Sequence, residues 1–342
     1  MKVLMLKGFS GIIAALLSIN LFAGFSGASS GRRVVRIGHV QPMNHPVHLA
    51  LEEFKDYVES RLGDKYDIEI YPSELLGSQV DMVQLTQTGA IDFCVASNSI
   101  LETFSDEYSL FNLPYLFRSP EAYRDSMNDA EIMDPIFNST NSAGFKTVAW
   151  FDAGARNFYT VDREINSPED LKGLKIRVQQ GLTNVAMMKA FGGSATPMSF
   201  GDVYTALQAS IIDGAENNVL ALTDNGHGDV CKYYSYDMHQ MIPDLMIGNV
   251  NFLDSLDEED RKVFEEGFEL VNSVECELWD EAVDEAIDKA VNEQGVTFSY
   301  PDITEFIEVC KPLHEELLSH KEELRPIYEK IQSHNKDYSR VN

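Results

Sequence analysis

Basic residues are scarce in this chain: 27 Lys and Arg stand against 55 Asp and Glu, a formal net charge of −28 over 342 residues. A surface of that sign repels nucleic-acid phosphates, so no nucleic-acid partner is expected. The acid excess instead keeps a protein soluble. Much of it sits near the C-terminus, as in Asp257-Glu258-Glu259-Asp260 and Glu265-Glu266, and reads as solvated helix faces rather than a metal site. Cysteine is rarer still. Cys94, Cys231, Cys276 and Cys310 form no CxxC pair and stand at no metal-ligand spacing with a histidine, which excludes a zinc ribbon or a thioredoxin-type motif. There is no GxSxG elbow, no P-loop, no HExxH and no GxGxxG after a strand. His45 and His48 flank Val47 at a helix start without a third ligand. No enzyme activity, cofactor or metal is therefore expected.

Long apolar runs are also missing beyond the first residues, so no later segment is expected to cross a bilayer. At the start, Lys2 and Lys7 precede an uncharged apolar run from Gly8 to Phe22, followed by small residues at 23–28. That order describes a secretory signal spanning 1–28. Without its two lysines the net charge moves from −28 to −30. Export would permit disulfides, and four thiols allow three pairings. Cys94, inside Phe93-Cys94-Val95-Ala96, reads as a buried core thiol. Whether Cys276 and Cys310 pair is left open.

Strands and helices alternate along the rest. Val34 to Val40 reads as a buried strand, and Pro46 opens a helix with Val47, Leu51, Phe54 and Val58 on one stripe. Residues 66–71 alternate at period two, a helix from Ser78 to Thr88 closes on Gly89, and Ile91 to Ala96 is another strand. This β-α-β-α-β order predicts a parallel sheet with covering helices. The grammar restarts after residue 150, with a helix start at Ser167-Pro168-Glu169-Asp170, a strand from Leu174 to Val178 and a helix near Asn184 to Phe191. A cap at Ser199, a helix from Gly201 to Ala209 and a strand at 211–216 follow. From Asp257 the chain is mostly amphipathic helix, broken around Gly295 to Pro301. The predicted class is α/β, two lobes around a cleft, long enough for a core in each.

Ligands of open α/β sheets bind at the carboxyl ends of strands, where two arginines fall. Arg177 ends a strand between Ile176 and Val178, and its planar fork suits a carboxylate. Arg156 follows the glycine turn of Asp152-Ala153-Gly154-Ala155. In so acidic a chain, either arginine could instead serve a structural pair with Asp or Glu. The amides of Glu216-Asn217-Asn218 follow a strand and could bond hydroxyls or a carboxylate.

The run Asp170 to Val178, the run Thr196 to Gln208 and the segment Ile212 to Asn217 resemble the DctP-type solute-binding proteins of TRAP (tripartite ATP-independent periplasmic) transporters. So, in order, do Tyr71-Pro72-Ser73-Glu74-Leu75-Leu76-Gly77, Thr88-Gly89-Ala90-Ile91-Asp92-Phe93 and Asn112-Leu113-Pro114-Tyr115-Leu116-Phe117. The resemblance implies a periplasmic, monomeric, non-enzymatic protein that closes on a small organic acid and delivers it to integral membrane subunits. It implies lobes at 34–153 with about 243–282 and at 154–242 with about 283–342, bridged by a long helix. Arg177 would clamp the ligand carboxylate, with Arg156 and Asn217 assisting and Phe200 packing on the ligand. Gln180, Gln79, Ser97 and Asn98 would tune specificity, and His239 matches a position where some members place a histidine. The turn His39-Val40-Gln41 would face the cleft, adding His39, Gln41 and His45. Sialic-acid members carry acids where this chain has Gln79 and Ser97. The runs Glu216-Asn217-Asn218, Lys232 to Ser235 and Asp237-Met238-His239 are instead similar to members that take hexuronates. A C4-dicarboxylate ligand, an exported uronate-acting enzyme and a sensor presenting its ligand to a receptor are the competing expectations.

Overall fold

A computed structural model describes residues 31–339, and the expected signal lies outside them. In chain order the strands are β1 Arg33–Gly38, β2 Tyr66–Tyr71, β3 Phe93–Ser97, β4 Phe145–Phe151, β5 Ala155–Thr160 and β6 Lys175–Val178. They continue as β7 Ser194–Pro197, β8 Gly214–Asn217, β9 Tyr233–Met241, β10 Asp244–Asn249 and β11 Thr297–Ser299. Two sheets result, ordered β2-β1-β3-β10-β4 and β11-β9-β5-β8-β6-β7. In the first, β1, β2 and β3 run parallel, as the alternating pattern predicts. The all-parallel expectation fails beyond them: β10, more than a hundred residues later, inserts antiparallel between β3 and β4. The second sheet is mixed too, with β6 parallel to β7 and β8, and β5 antiparallel to β8 and β9.

Local chemistry sets the helix starts. His45 caps the helix Pro46–Leu62, its Nδ1 accepting the Val47 N–H at 3.3 Å. The stripe Val47, Leu51, Phe54 and Val58 is fully buried, and the Phe54 ring stacks on Phe268 at 5.6 Å. A buried aromatic of this kind contributes roughly 1.5–3 kcal/mol. Ser78 and Asp81 form a reciprocal capping box, and Gly89 ends that helix at φ +75°, a left-handed conformation open to glycine at no steric cost. The predicted helix at Ser167 is a single 3-10 turn, Pro168–Leu171. Ser199 makes no side-chain cap: a 3-10 turn at Phe200–Asp202 leads into the helix Val203–Gln208. The reason is that Glu74, from the other lobe, takes the Gly201 N–H instead, at 3.1 Å.

The chain passes between the sheets at residues 152–154 and 242–243, and the 35-residue helix Glu258–Asn292 spans both lobes. Phe264, Phe268 and Val271 of that helix join the core beneath β1, while Trp279, Ala286 and Ala290 join the core of the second sheet. The first crossing is tied to the helix. Arg124 bonds Asp152 at 2.6 Å and forks onto Asp280 at 2.5 and 3.0 Å, and Glu275 accepts the Asp152 N–H at 2.8 Å. Gly154 (φ +61°) presses on Trp279 so closely that a Cβ there would stand 2.9 Å from the indole. The C-terminal segment runs back over the first lobe, where Leu318, Leu324, Ile327 and Ile331 join its core. Cys94, Cys231, Cys276 and Cys310 are all free thiols, so Cys276 and Cys310 are not joined.

Candidate functional site

Between the sheets lies a narrow cavity of about 20 Å³ lined by Gln41, Gln79 and Asp244 of the first lobe and by Arg156, Gln179, Phe200 and Asn217 of the second, with Ala153 and Asn218. The lobes touch at its rim: besides Glu74 on Gly201, Asn44 Nδ2 donates to Asp224 Oδ1 at 3.2 Å.

Arg177 stands on β6 with Ile176 and Val178 buried on the opposite face. Its Nε and Nη2 donate to the Met198 carbonyl at 3.2 and 2.9 Å, while Nη1 is buried without a partner. The guanidinium lies 5.7 Å from the Phe200 ring centroid. Burial lowers its pKa to about 10, partly opposed by Glu216, so it is charged at neutral pH. His227 stands nearby, and burial together with Arg177 lowers its imidazole to about 4, leaving it neutral.

Arg156 follows β4 and the Gly154 turn, as expected, and stands near the start of β5 with its fork spent on β8. Nε meets Glu216 Oε2 at 2.5 Å, Nη2 the Glu216 carbonyl at 2.7 Å, and Nη1 the Asn217 Oδ1 at 2.8 Å. The Asn218 N–H also donates to that Oδ1, at 2.9 Å, so the Asn217 amide is held from its oxygen end. His239 is not on the cavity wall. It lies behind Glu216, 3.5 Å from that carboxylate and 2.9 Å from Asp237 Oδ2, stacked 4.5 Å from the Phe158 ring. Burial alone would lower His239; Asp237 and Glu216 outweigh it and raise the pKa to about 9. Burial likewise pushes Glu216 up, but Arg156 and His239 prevail and hold it at about 2.

The other sequence candidates divide. Gln79 and Gln41 line the cavity, and Gln79 Oε1 accepts the Ser97 N–H at 2.8 Å. Ser97 and Asn98 are buried behind it, Asn98 donating to the Tyr108 carbonyl and Asn112 Oδ1, both at 2.8 Å. His39 bonds His48 at 3.0 Å, His45 caps its helix and meets Trp279 edge-on at 5.8 Å, and burial first of all keeps both rings neutral, near 3. Neither histidine is among the lining residues. Gln180 is half-buried and outside the lining; Gln179 takes that place, its buried Oε1 without a partner. Strand alternation carries this signal, since Arg177 and Gln179 are two apart and share a face. Asp244 had no such local cue. It opens β10 after Pro243, is bonded by the Gln41 side chain, and burial raises its carboxyl to about 6 with Arg156 opposing. No cluster of three or more metal-ligating side chains occurs among the described residues, and no described helix is long and apolar enough to cross a membrane.

The sequence model of the family described as bacterial extracellular solute-binding protein, family 7 (DctP) matches residues 37–321. The uncharacterized protein YiiZ of Salmonella typhimurium is 37% identical over 302 residues, 88% of this chain and 92% of that protein. Among solved structures, a TRAP periplasmic solute-binding protein from Anaerococcus prevotii with bound α/β-D-glucuronate is 61% identical. It superposes with a TM-score of 0.89 over 90% of this chain and 100% of that one. Another, from Xanthobacter autotrophicus with bound β-D-galacturonate, is 31% identical, with a TM-score of 0.84 over 87% and 99%.

Proposed function

The chain belongs to the DctP family of bacterial extracellular solute-binding proteins, and from that premise we propose that it captures a hexuronate such as glucuronate or galacturonate for a TRAP transporter. The observation that carries the reading is Arg177: a charged guanidinium buried at a strand end, with Nη1 unbonded, 5.7 Å from the ring of Phe200, which lines a cavity walled by amides. One fork for one carboxylate and several amides for hydroxyls is the complement of a sugar acid. The relatives solved with bound glucuronate and galacturonate support the same class.

In this reading Arg177 takes the carboxylate, Phe200 packs on the ring, and Asn217 reaches the ligand. Arg156, held by Glu216 and backed by His239, fixes the Asn217 amide. The two lobes then close, and the ligand shifts the open–closed balance by its differential affinity for the two forms. No bond is made or broken, and the closed form is the one the integral membrane subunits accept. Signal cleavage and delivery to the periplasm complete the proposal. A thermal-shift screen against sugar acids, dicarboxylates, keto acids and amino acids tests it, because a ligand at a hundredfold its Kd adds about 2.7 kcal/mol of stability. A response confined to hexuronates is expected. A response to succinate or malate alone would replace the ligand class, and silence would remove the carboxylate reading.

A further inference from the structure

Carboxylate capture explains Arg177 but leaves the first-lobe wall of the cavity unused. Asp244 of β10 lines the cavity from the first lobe, and the Gln41 side chain donates to it. Gln41 Oε1 is thereby left buried without a partner, and Gln179 Oε1, from the second lobe, is in the same condition. Three acceptors thus line one small cavity, two of them carbonyl oxygens with no donor among the described residues. Buried acceptors of this kind are costly when unmet, so the cavity calls for hydroxyl donors. The charges sort the same way. Arg156 is joined to Glu216, which leaves Asp244 as the one acid on the cavity wall and outside any ion pair among the described residues.

We propose that Asp244 is a specificity-determining residue: its carboxylate, with Gln41 and Gln179, accepts ligand hydroxyls and bars a second ligand carboxylate. The site would then select a monocarboxylate that carries hydroxyls away from its acid group, and reject a dicarboxylate of equal length by juxtaposing two buried anions. The inference rests on the hexuronate reading for its ligand but not for its electrostatics.

Calorimetric titration of the mature protein with D-galacturonate and with galactarate, the open-chain acid in which C1 is oxidised to a second carboxylate, tests it. Wild type should prefer galacturonate by about a hundredfold or more, since a site built to bond hydroxyls rejects a mismatched group strongly. Asp244→Asn should bind galacturonate at least about tenfold more weakly and lose most of that preference. Galacturonate affinity within threefold of wild type, with the preference intact, would overturn the role of Asp244 and leave the hexuronate reading standing. A wild type indifferent to hexuronates that still rejected dicarboxylates, in an Asp244-dependent way, would do the reverse. If Asp244→Asn does not fold, the wild-type ratio decides: equal affinity for the two acids overturns the proposal.

Discussion

At the scale of single residues, the site sets a free arginine beside a committed one. Arg177 keeps one Nη unbonded, whereas every arm of Arg156 is satisfied by β8. Arg177→Ala should therefore lower affinity for the ligand by well over tenfold, more than about 1.4 kcal/mol, while leaving the ligand-free melting temperature near wild type; titration calorimetry and a melt measure both. Glu216→Ala should instead unfold the protein more readily, since stranding a buried charge costs about 3–5 kcal/mol. His239 adds a pH signature. Its folded pKa, about 9, lies above the ordinary 6.5, so its stabilisation is whole below pH 6.5 and is lost as pH rises through about 9. Melting temperature should decline across pH 6.5–9 in wild type and decline less in His239→Gln; equal slopes would show that the imidazole is neutral. Arg177 was legible in the sequence because its neighbours Ile176 and Val178 are apolar. A structural pair was one of the two readings of Arg156, but its partner was not legible, because Glu216 is 60 residues away and meets it only through sheet pairing.

At the scale of elements, the helices with strong caps read well from sequence, because Ser78 with Asp81 and Pro46 with its apolar stripe act within one turn. Strand partners did not. Nothing local tells β10 to insert between β3 and β4, or β11 to pair with β9, and nothing in the order of helices says that Ile327 and Ile331 pack on the first lobe. The missing cap at Ser199 belongs to the same class, for the group on Gly201 comes from Glu74 across the cleft. Ser73 and Glu74 both adopt positive φ, 55° and 60°, a conformation that costs a non-glycine residue of order 1 kcal/mol. That turn holds the Glu74 carboxylate against Gly201, where a Cβ would stand only 2.2 Å from Oε2. The two sequence runs that meet here, Tyr71 to Gly77 and Thr196 to Gln208, thus form a contact between the lobes, which the proposed closure would retain. Gly201→Ala should weaken ligand affinity several-fold with little change in ligand-free stability, because it disfavours only the closed form. Small-angle scattering with and without ligand would show a smaller contraction than in wild type; an equal contraction would mean that the contact is incidental.

At the scale of the whole molecule, the proposed closure moves two lobes about crossings that remain ordered, and residue patterns alone gave no guide to where those crossings lie; the boundaries near 153 and 243 came with the family resemblance. Glu275, in the middle of that helix, is fully buried, accepts the N–H of Asp152 with Oε2, and leaves Oε1 without a partner. Burial first, then the neighbouring Asp152, raises its carboxyl well above the ordinary range; the bond from Asp152 N–H and the charge of Arg124 oppose this without prevailing. The fold thus raises the Glu275 carboxyl above the range it has in the unfolded chain, so burial favours its neutral form. Such an acid favours the folded state only at pH below its unfolded pKa near 4.5, and weakens it increasingly as pH rises above that value. Glutamine keeps an acceptor for the Asp152 N–H and cannot ionise. Glu275→Gln should therefore melt a few degrees higher than wild type at pH 7–8, with the gain shrinking toward zero near pH 4.5, in calorimetric scans of the ligand-free protein. A loss of stability at neutral pH would mean that Glu275 is ionised in the fold and that the crossing is held by charge rather than by a neutral hydrogen bond.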